Sequence, residues 1–257
     1  ALISAMRMDL DDGSEEAMAR RRRVANSAIL DRDELQDVYR SWRRVMDEYD
    51  RDVMAVAEAW VPPERAARYV APDTLHQIFN FDFMAAPWDA DRVVSVIDKT
   101  FAGLQLSGAP ATWALSNHDS PRVVTRLGGG EEGRRRARAL ALLAHALPGS
   151  VYVYQGEELG LPEVADLPDH LLQDPTWERS GRKVKGRDGC RVPLPWTPDG
   201  SSFGFGPGGS HLPQPSWFGQ YSVSTEDRDP SSTLNLYRTA LHLRRGLQSS
   251  EDLTWVR

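Results

Sequence analysis

Short apolar runs alternate along this chain with longer segments of helical period, and that alternation restricts the fold more than any other feature. Leu35, Val38, Tyr39, Trp42, Val45 and Met46 recur at the spacing of one helix face over residues 32–49. A strand-like stretch over 52–60 comes next, then a short helix over 63–70. Residues 76–83, with Ile78, Phe79, Phe81 and Phe83, read as a strand, and 90–104, with Val93, Val94, Val96, Ile97 and Phe101, as a helix. A strand over 111–116 precedes a long helix over 131–147 that is basic early, apolar late and closed by Pro148-Gly149. A strand over 151–154 and a last helix over 233–247 complete the series, and a further apolar run occupies 1–10. Roughly five strand-then-helix units in sequence call for parallel strands with right-handed crossovers. An open doubly wound sheet and a (β/α) barrel both satisfy that pattern. No phosphate-binding loop follows a strand. Gly128-Gly129-Gly130 precedes a helix but lacks the Lys-Ser/Thr pair, and reads as a flexible turn.

Composition narrows the partners. At 257 residues, 40% hydrophobic and 26% charged, the chain is that of an ordinary soluble globular protein. A net charge of −6 argues against a nucleic-acid surface. The one basic run, Arg20 to Arg23, follows Glu15 and Glu16 and reads as a solvated face. No apolar run approaches the ~20 residues that cross a bilayer, so no membrane partner is expected. The single cysteine, Cys190, allows no intrachain disulfide, which fits a reducing, cytoplasmic compartment. Residues 161–229 are rich in Gly and Pro but also hold Trp177, Trp196, Trp217, Phe203, Phe205 and Phe218. Disordered segments are poor in aromatics, so this is read as an ordered surface loop whose rings stack on sugars or cover the end of the sheet.

Three acids follow three predicted strands: Asp9, Glu58 and Asp119. In a parallel barrel the strand C-termini open onto one face, and acids there converge on one pocket. Such a pocket suits glycoside hydrolysis, in which one carboxylate attacks the anomeric carbon and a second exchanges protons with the leaving oxygen and water. A third can stabilise the developing positive charge. A single acid at a strand end is more often a helix N-cap, and Asp82, also beside a predicted strand, shows how common the pattern is. The argument rests on the set in order.

Longer motifs share that order. "LSNHD" at 115–119 with Arg122, "VAEAWV" at 56–61, "FNFDF" at 79–83, "YQGEELG" at 154–160, "DPTWERSG" and "GRDGCRVPLPW" resemble segments of the α-amylase superfamily, glycoside hydrolase family thirteen, and within it the bacterial α-glucosidases. Arg7-Met8-Asp9 is similar to that family's Arg-x-Asp. The resemblance implies an enzyme that releases terminal α-linked glucose from short, maltose-type α-glucosides with retention. It implies Asp9 as nucleophile, Glu58 as general acid/base and Asp119 as transition-state stabiliser. Arg7 would keep Asp9 ionised, and Asn117, His118, Arg122, Arg187 and Asp188 would bind substrate. No cofactor and no metal ligand are implied.

The matches begin at the family's fourth strand. The implied fold is therefore a partial (β/α)8 TIM barrel, about strands 4 to 8 with their helices over 1–247, with 248–257 opening a C-terminal β-domain. A barrel so divided exposes sheet edges and apolar interior, and the chain alone is expected to be inactive or nearly so. The alternatives are an α-glucan transglycosylase or trehalose synthase of the same superfamily, and a non-catalytic degenerate fragment. Retention of Glu58 and Asp119 speaks against the last.

Overall fold

A computed structural model of the chain describes residues 31–105 and 107–247. The apolar run at 1–10, with Arg7 and Asp9, the basic run at 20–23 and the segment 248–257 lie outside the described residues. The chain divides between Trp113 and Ala114 into two compact units.

The first unit holds helix α1 (Leu35–Met46), strand β1 (Val56–Ala57), helix α2 (Pro63–Tyr69) and strand β2 (Gln77–Ile78). Pro62 and Pro63 end the extended stretch after β1, and Pro63 opens α2, where a missing N–H costs nothing. β1 and β2 pair in parallel, Val56 opposite Gln77 and Ala57 opposite Ile78. Two parallel strands joined by a helix are the unit expected from the alternation. Helix α3 (Phe81–Ala85) and helix α4 (Ala90–Leu104) follow, and strand β3 (Thr112–Ala114) spans the division between the units.

The strand expected over 76–83 stops at Ile78, because Asn80 starts a helix instead. Its Oδ1 accepts the Phe83 N–H at 3.0 Å, and its Nδ2 donates to Thr100 Oγ1 at 2.8 Å. A short amide side chain that caps its own backbone offers the chain an alternative to the ladder. Phe81 and Phe83 are buried nonetheless: Phe81 stacks on Trp60 with centroids 3.8 Å apart, and Phe83 meets Trp113 edge-on at 4.9 Å. Thr112 joins the two stretches, its Oγ1 donating to Ile78 O at 2.6 Å and accepting from Asn80 N at 3.1 Å. Helix α4 begins where Asp89 Oδ1 accepts the Arg92 N–H, and it packs against α2.

The second unit contains helix α5 (Val123–Arg126), helix α6 (Gly130–Ala146), strand β4 (Ser150–Tyr152), the short helices α7 (Thr176–Arg179) and α8 (Val223–Arg228), and helix α9 (Thr233–Leu247). α6 packs on both α5 and α9. Gly133 allows the approach of α5, since a Cβ there would overlap the Val124 carbonyl oxygen.

Segment 161–229 forms a core together with Leu159 and Leu234, which flank it. Leu161, Val164, Leu167, Val192, Leu194, Leu212 and Phe218 are buried together, with Phe203 and Trp217 packed against them. These two rings and Phe218 therefore anchor the loop, whereas Trp196 and Phe205 are each 50% exposed. Among the described residues no helix is long and apolar enough to cross a membrane.

Candidate active site

Directly after β3 the chain turns. Asn117 Oδ1 accepts the Asp119 N–H at 3.0 Å, a side-chain-closed turn that lifts His118 and Asp119 out of the strand direction. Ser116 Oγ accepts the Val123 N–H at 3.2 Å and ties the far end of the same loop to the start of α5. His118 is exposed, and its Nε2 stands 3.4 Å from Asp119 Oδ1.

The two oxygens of Asp119 differ. Oδ1 accepts from Arg187 Nη1 at 2.8 Å and from Arg191 Nη2 at 2.7 Å. Hydrogen bonds between ionised partners are about twice as strong as neutral ones, so this oxygen is firmly held. Among the described residues Oδ2 has no hydrogen-bond partner, and the side chain remains 30% exposed. Arg191 also donates from Nε to the His118 carbonyl at 2.8 Å.

Arg187 is positioned from behind by Asp174, whose Oδ2 accepts its Nε at 2.6 Å and its backbone N–H at 2.8 Å. Burial works to raise the Asp174 carboxyl. The Arg187 guanidinium and the amides of Thr176 and Arg187 outweigh it and hold Asp174 far below the usual carboxylate range. The same ion pair raises Arg187 above its ordinary value.

Two residues expected at the substrate occupy other places. Arg122 is 2% exposed. Its Nη1 donates to Gln155 O at 2.8 Å and its Nη2 to Cys190 O at 2.9 Å, with the guanidinium lying over the Tyr154 ring. Asp188 is likewise buried, and its Oδ2 accepts the N–H groups of Gln173 and Asp174 at 2.6 and 2.9 Å. Both satisfy loop backbone that would otherwise be left without partners, so they brace the site from within the fold. Glu58 stands one residue beyond β1 in the first unit, exposed and with no hydrogen bond or ion pair among the described residues.

Sequence reasoning missed Arg191 and Asp174. Their segments stand out as "GRDGCR" and "DPTW", but nothing local shows that Arg191 closes onto Asp119 across 72 residues. Glu157, inside "YQGEELG", was not singled out either. It is buried, it accepts from Tyr237 at 2.7 Å, and burial pushes its carboxyl up to about 7. Among the described residues no three His, Cys, Asp or Glu side chains gather as a metal site.

A carboxylate anchored through one oxygen and open at the other suits a group that must meet positive charge developing on a ligand. Residues 3–251 match the alpha-amylase family, by its description the alpha amylase catalytic domain. The chain belongs to the alpha-amylase family. Among its relatives is a probable alpha-glucosidase of Rhizobium meliloti (strain 1021), 35% identical over 225 residues, covering 83% of this chain and 39% of that protein. An oligo-1,6-glucosidase of Parageobacillus thermoglucosidasius is 28% identical over 79% of this chain and 41% of its own length. This alpha-amylase family chain thus spans about two fifths of the length of the curated relatives it matches. Among solved structures, the alpha-glucosyl transfer enzyme XgtA superposes with a TM-score of 0.74 at 32% identity, covering 83% of this chain and 39% of that one. The trehalulose synthase MutB superposes at 0.71 with 22% identity, over 83% of this chain and 44% of that one, a likeness of fold alone.

Proposed function

We propose that this chain carries residues of a retaining α-glucosidase site that releases terminal glucose from short, maltose-type α-glucosides, and that it supplies about strands 4 to 8 of a (β/α)8 barrel. The observation that carries the reading is Asp119, held through Oδ1 by Arg187 and Arg191 with Oδ2 open, in a family whose relatives include glucosidases. In this scheme Glu58 gives a proton to the glycosidic oxygen while Asp9, beside Arg7, attacks the anomeric carbon and forms a glycosyl ester. Glu58 then takes a proton from the water that opens the ester and frees glucose with its configuration retained. The Asp119 carboxylate faces the positive charge that grows on the ring, and Asn117, His118 and Arg187 orient the sugar hydroxyls. Glu58, exposed and without a hydrogen bond or ion pair among the described residues, supports a group that exchanges protons with bound molecules rather than one that braces the fold. The one cysteine, buried and free, fits a reducing, cytoplasmic setting.

The likeness to an alpha-glucosyl transfer enzyme at 32% identity favours a second reading, transfer of glucose to another sugar. The test is turnover of 4-nitrophenyl α-glucoside and maltose by the full protein carrying this chain. Glu58→Gln is expected to abolish release of nitrophenol while sugar binding persists. Unchanged turnover in Glu58→Gln defeats the role given to Glu58. Products longer than maltose in place of glucose favour transfer.

A further inference from the structure

Arg187 and Arg191 touch the same oxygen of Asp119, yet their surroundings set them apart. Arg187 already has its place, because Asp174 accepts its Nε and its backbone N–H. Among the described residues Arg191 makes its side-chain hydrogen bonds to the loop alone: Nε to the His118 carbonyl at 2.8 Å and Nη2 to Asp119 Oδ1 at 2.7 Å. One planar fork therefore spans the backbone of one residue and the carboxylate of the next, which sets both the turn and the carboxylate plane.

The base of this fork is itself fixed. The Arg191 N–H donates to Asp188 O at 2.9 Å. The preceding carbonyl, Cys190 O, accepts from Arg122 Nη2 at 2.9 Å and from the Tyr154 hydroxyl at 3.0 Å. Asp188 is held by the amides of Gln173 and Asp174. A buried scaffold thus ends at one half-exposed guanidinium whose donors reach the His118–Asp119 pair.

We infer that Arg191 is a positioning residue of the site, anchoring Asp119 through Oδ1 and the His118 carbonyl so that Oδ2 is presented to the sugar. The sugar half of this statement rests on the glucosidase reading; the tether does not. Lysine cannot replace the fork, since an ammonium on a flexible stem lacks the rigid pair of donors that reaches two acceptors in fixed geometry. The expected loss falls on the chemical step, because a stabiliser misplaced by about 1 Å can lower the rate on the order of 100-fold.

Arg191→Lys and Arg191→Ala in the full protein carrying this chain test the inference by two readouts. In steady-state hydrolysis of 4-nitrophenyl α-glucoside, kcat is expected to fall about 10-fold in Arg191→Lys and about 100-fold in Arg191→Ala, with KM changing less than about 3-fold. Amide hydrogen exchange at His118 and Asp119 is expected to quicken in both variants, while the amides of α6 and α9 keep their protection. Wild-type kcat in Arg191→Ala overturns the inference, and so does a loss in which exchange quickens across the whole unit. Arg191→Lys retains the aliphatic stem and decides the matter if the alanine variant does not fold. If the wild-type protein cleaves no α-glucoside, the glucosidase reading falls with the sugar half of the inference. Exchange at 118–119 still decides the tether, and unchanged protection there overturns it.

Discussion

The Tyr237 hydroxyl donates a 2.7 Å hydrogen bond to Glu157 Oε1, joining α9 to the loop after β4 across 80 residues of sequence. Among the described residues the second oxygen of Glu157 is buried with no hydrogen-bond partner within range, and burial pushes the carboxyl up to about 7 from an ordinary 4.5. Between those two values the unfolded chain has released its proton and the folded one has kept it. Stability therefore falls as pH rises from 4.5 to 7 and levels off above, by an amount on the order of 3 kcal/mol. Buried His145 acts in the opposite sense, since burial lowers its pKa and stability is lost as the pH drops through that range. The difference between the parent and Glu157→Gln isolates the carboxyl. Urea unfolding at pH 5, 6, 7 and 8 is expected to show stability falling more steeply with pH in the parent than in Glu157→Gln; parallel curves refute the assignment.

Arg122 gives a second prediction, on stability. Its guanidinium is the buried partner of two backbone carbonyls, Gln155 O and Cys190 O. Arg122→Met removes the donor to Gln155 O and leaves Cys190 O with the Tyr154 hydroxyl alone, and a buried carbonyl that loses its donor costs about 1–3 kcal/mol. Thermal unfolding is expected to register a loss of about 1–3 kcal/mol, with Arg122→Lys between the parent and Arg122→Met. A variant as stable as the parent would show that Arg122 is free for another role.

Gly133 tests the packing of α5 on α6. Helix propensity alone predicts that alanine would stabilise α6 by about 1 kcal/mol. Its Cβ would instead overlap the Val124 carbonyl oxygen, and overpacking of this kind costs about 1–3 kcal/mol. Gly133→Ala is expected to lower the unfolding midpoint in urea, and a raised midpoint counts against the close approach.

Asn80 tests why a strand becomes a helix. Asn80→Ala removes the cap on the Phe83 N–H, a change worth about 0.5–2 kcal/mol. Faster amide exchange at Phe83 with little change along α4 is the expected signature.

Much of the fold was legible because helix signals are local. The apolar period and the Asp89 cap mark α4 at residues 90–104, and the same period places α9 at 233–247. The strands expected over 52–60 and 111–116 exist but are shorter, since a ladder extends only as far as its partner does. Residues 76–83 misled because alternating phenylalanines suit a buried strand, while the competing cap lies in the side chain of Asn80.

The site shows the same division. Asn117, His118 and Asp119 could be singled out because their turn closes over two residues. Neither the tether of Arg191 nor the bracing contacts of Arg122 can be read locally. Their partners lie between 33 and 73 residues away. By itself the sequence determined the longer helices, the family and the acids worth testing, because periodicity, caps and motifs act between near neighbours. Only the tertiary structure decided which charges meet, which are buried and which oxygen of Asp119 stays open. Coulomb and desolvation energies depend on distance in space, and folding sets that distance without regard to separation along the chain.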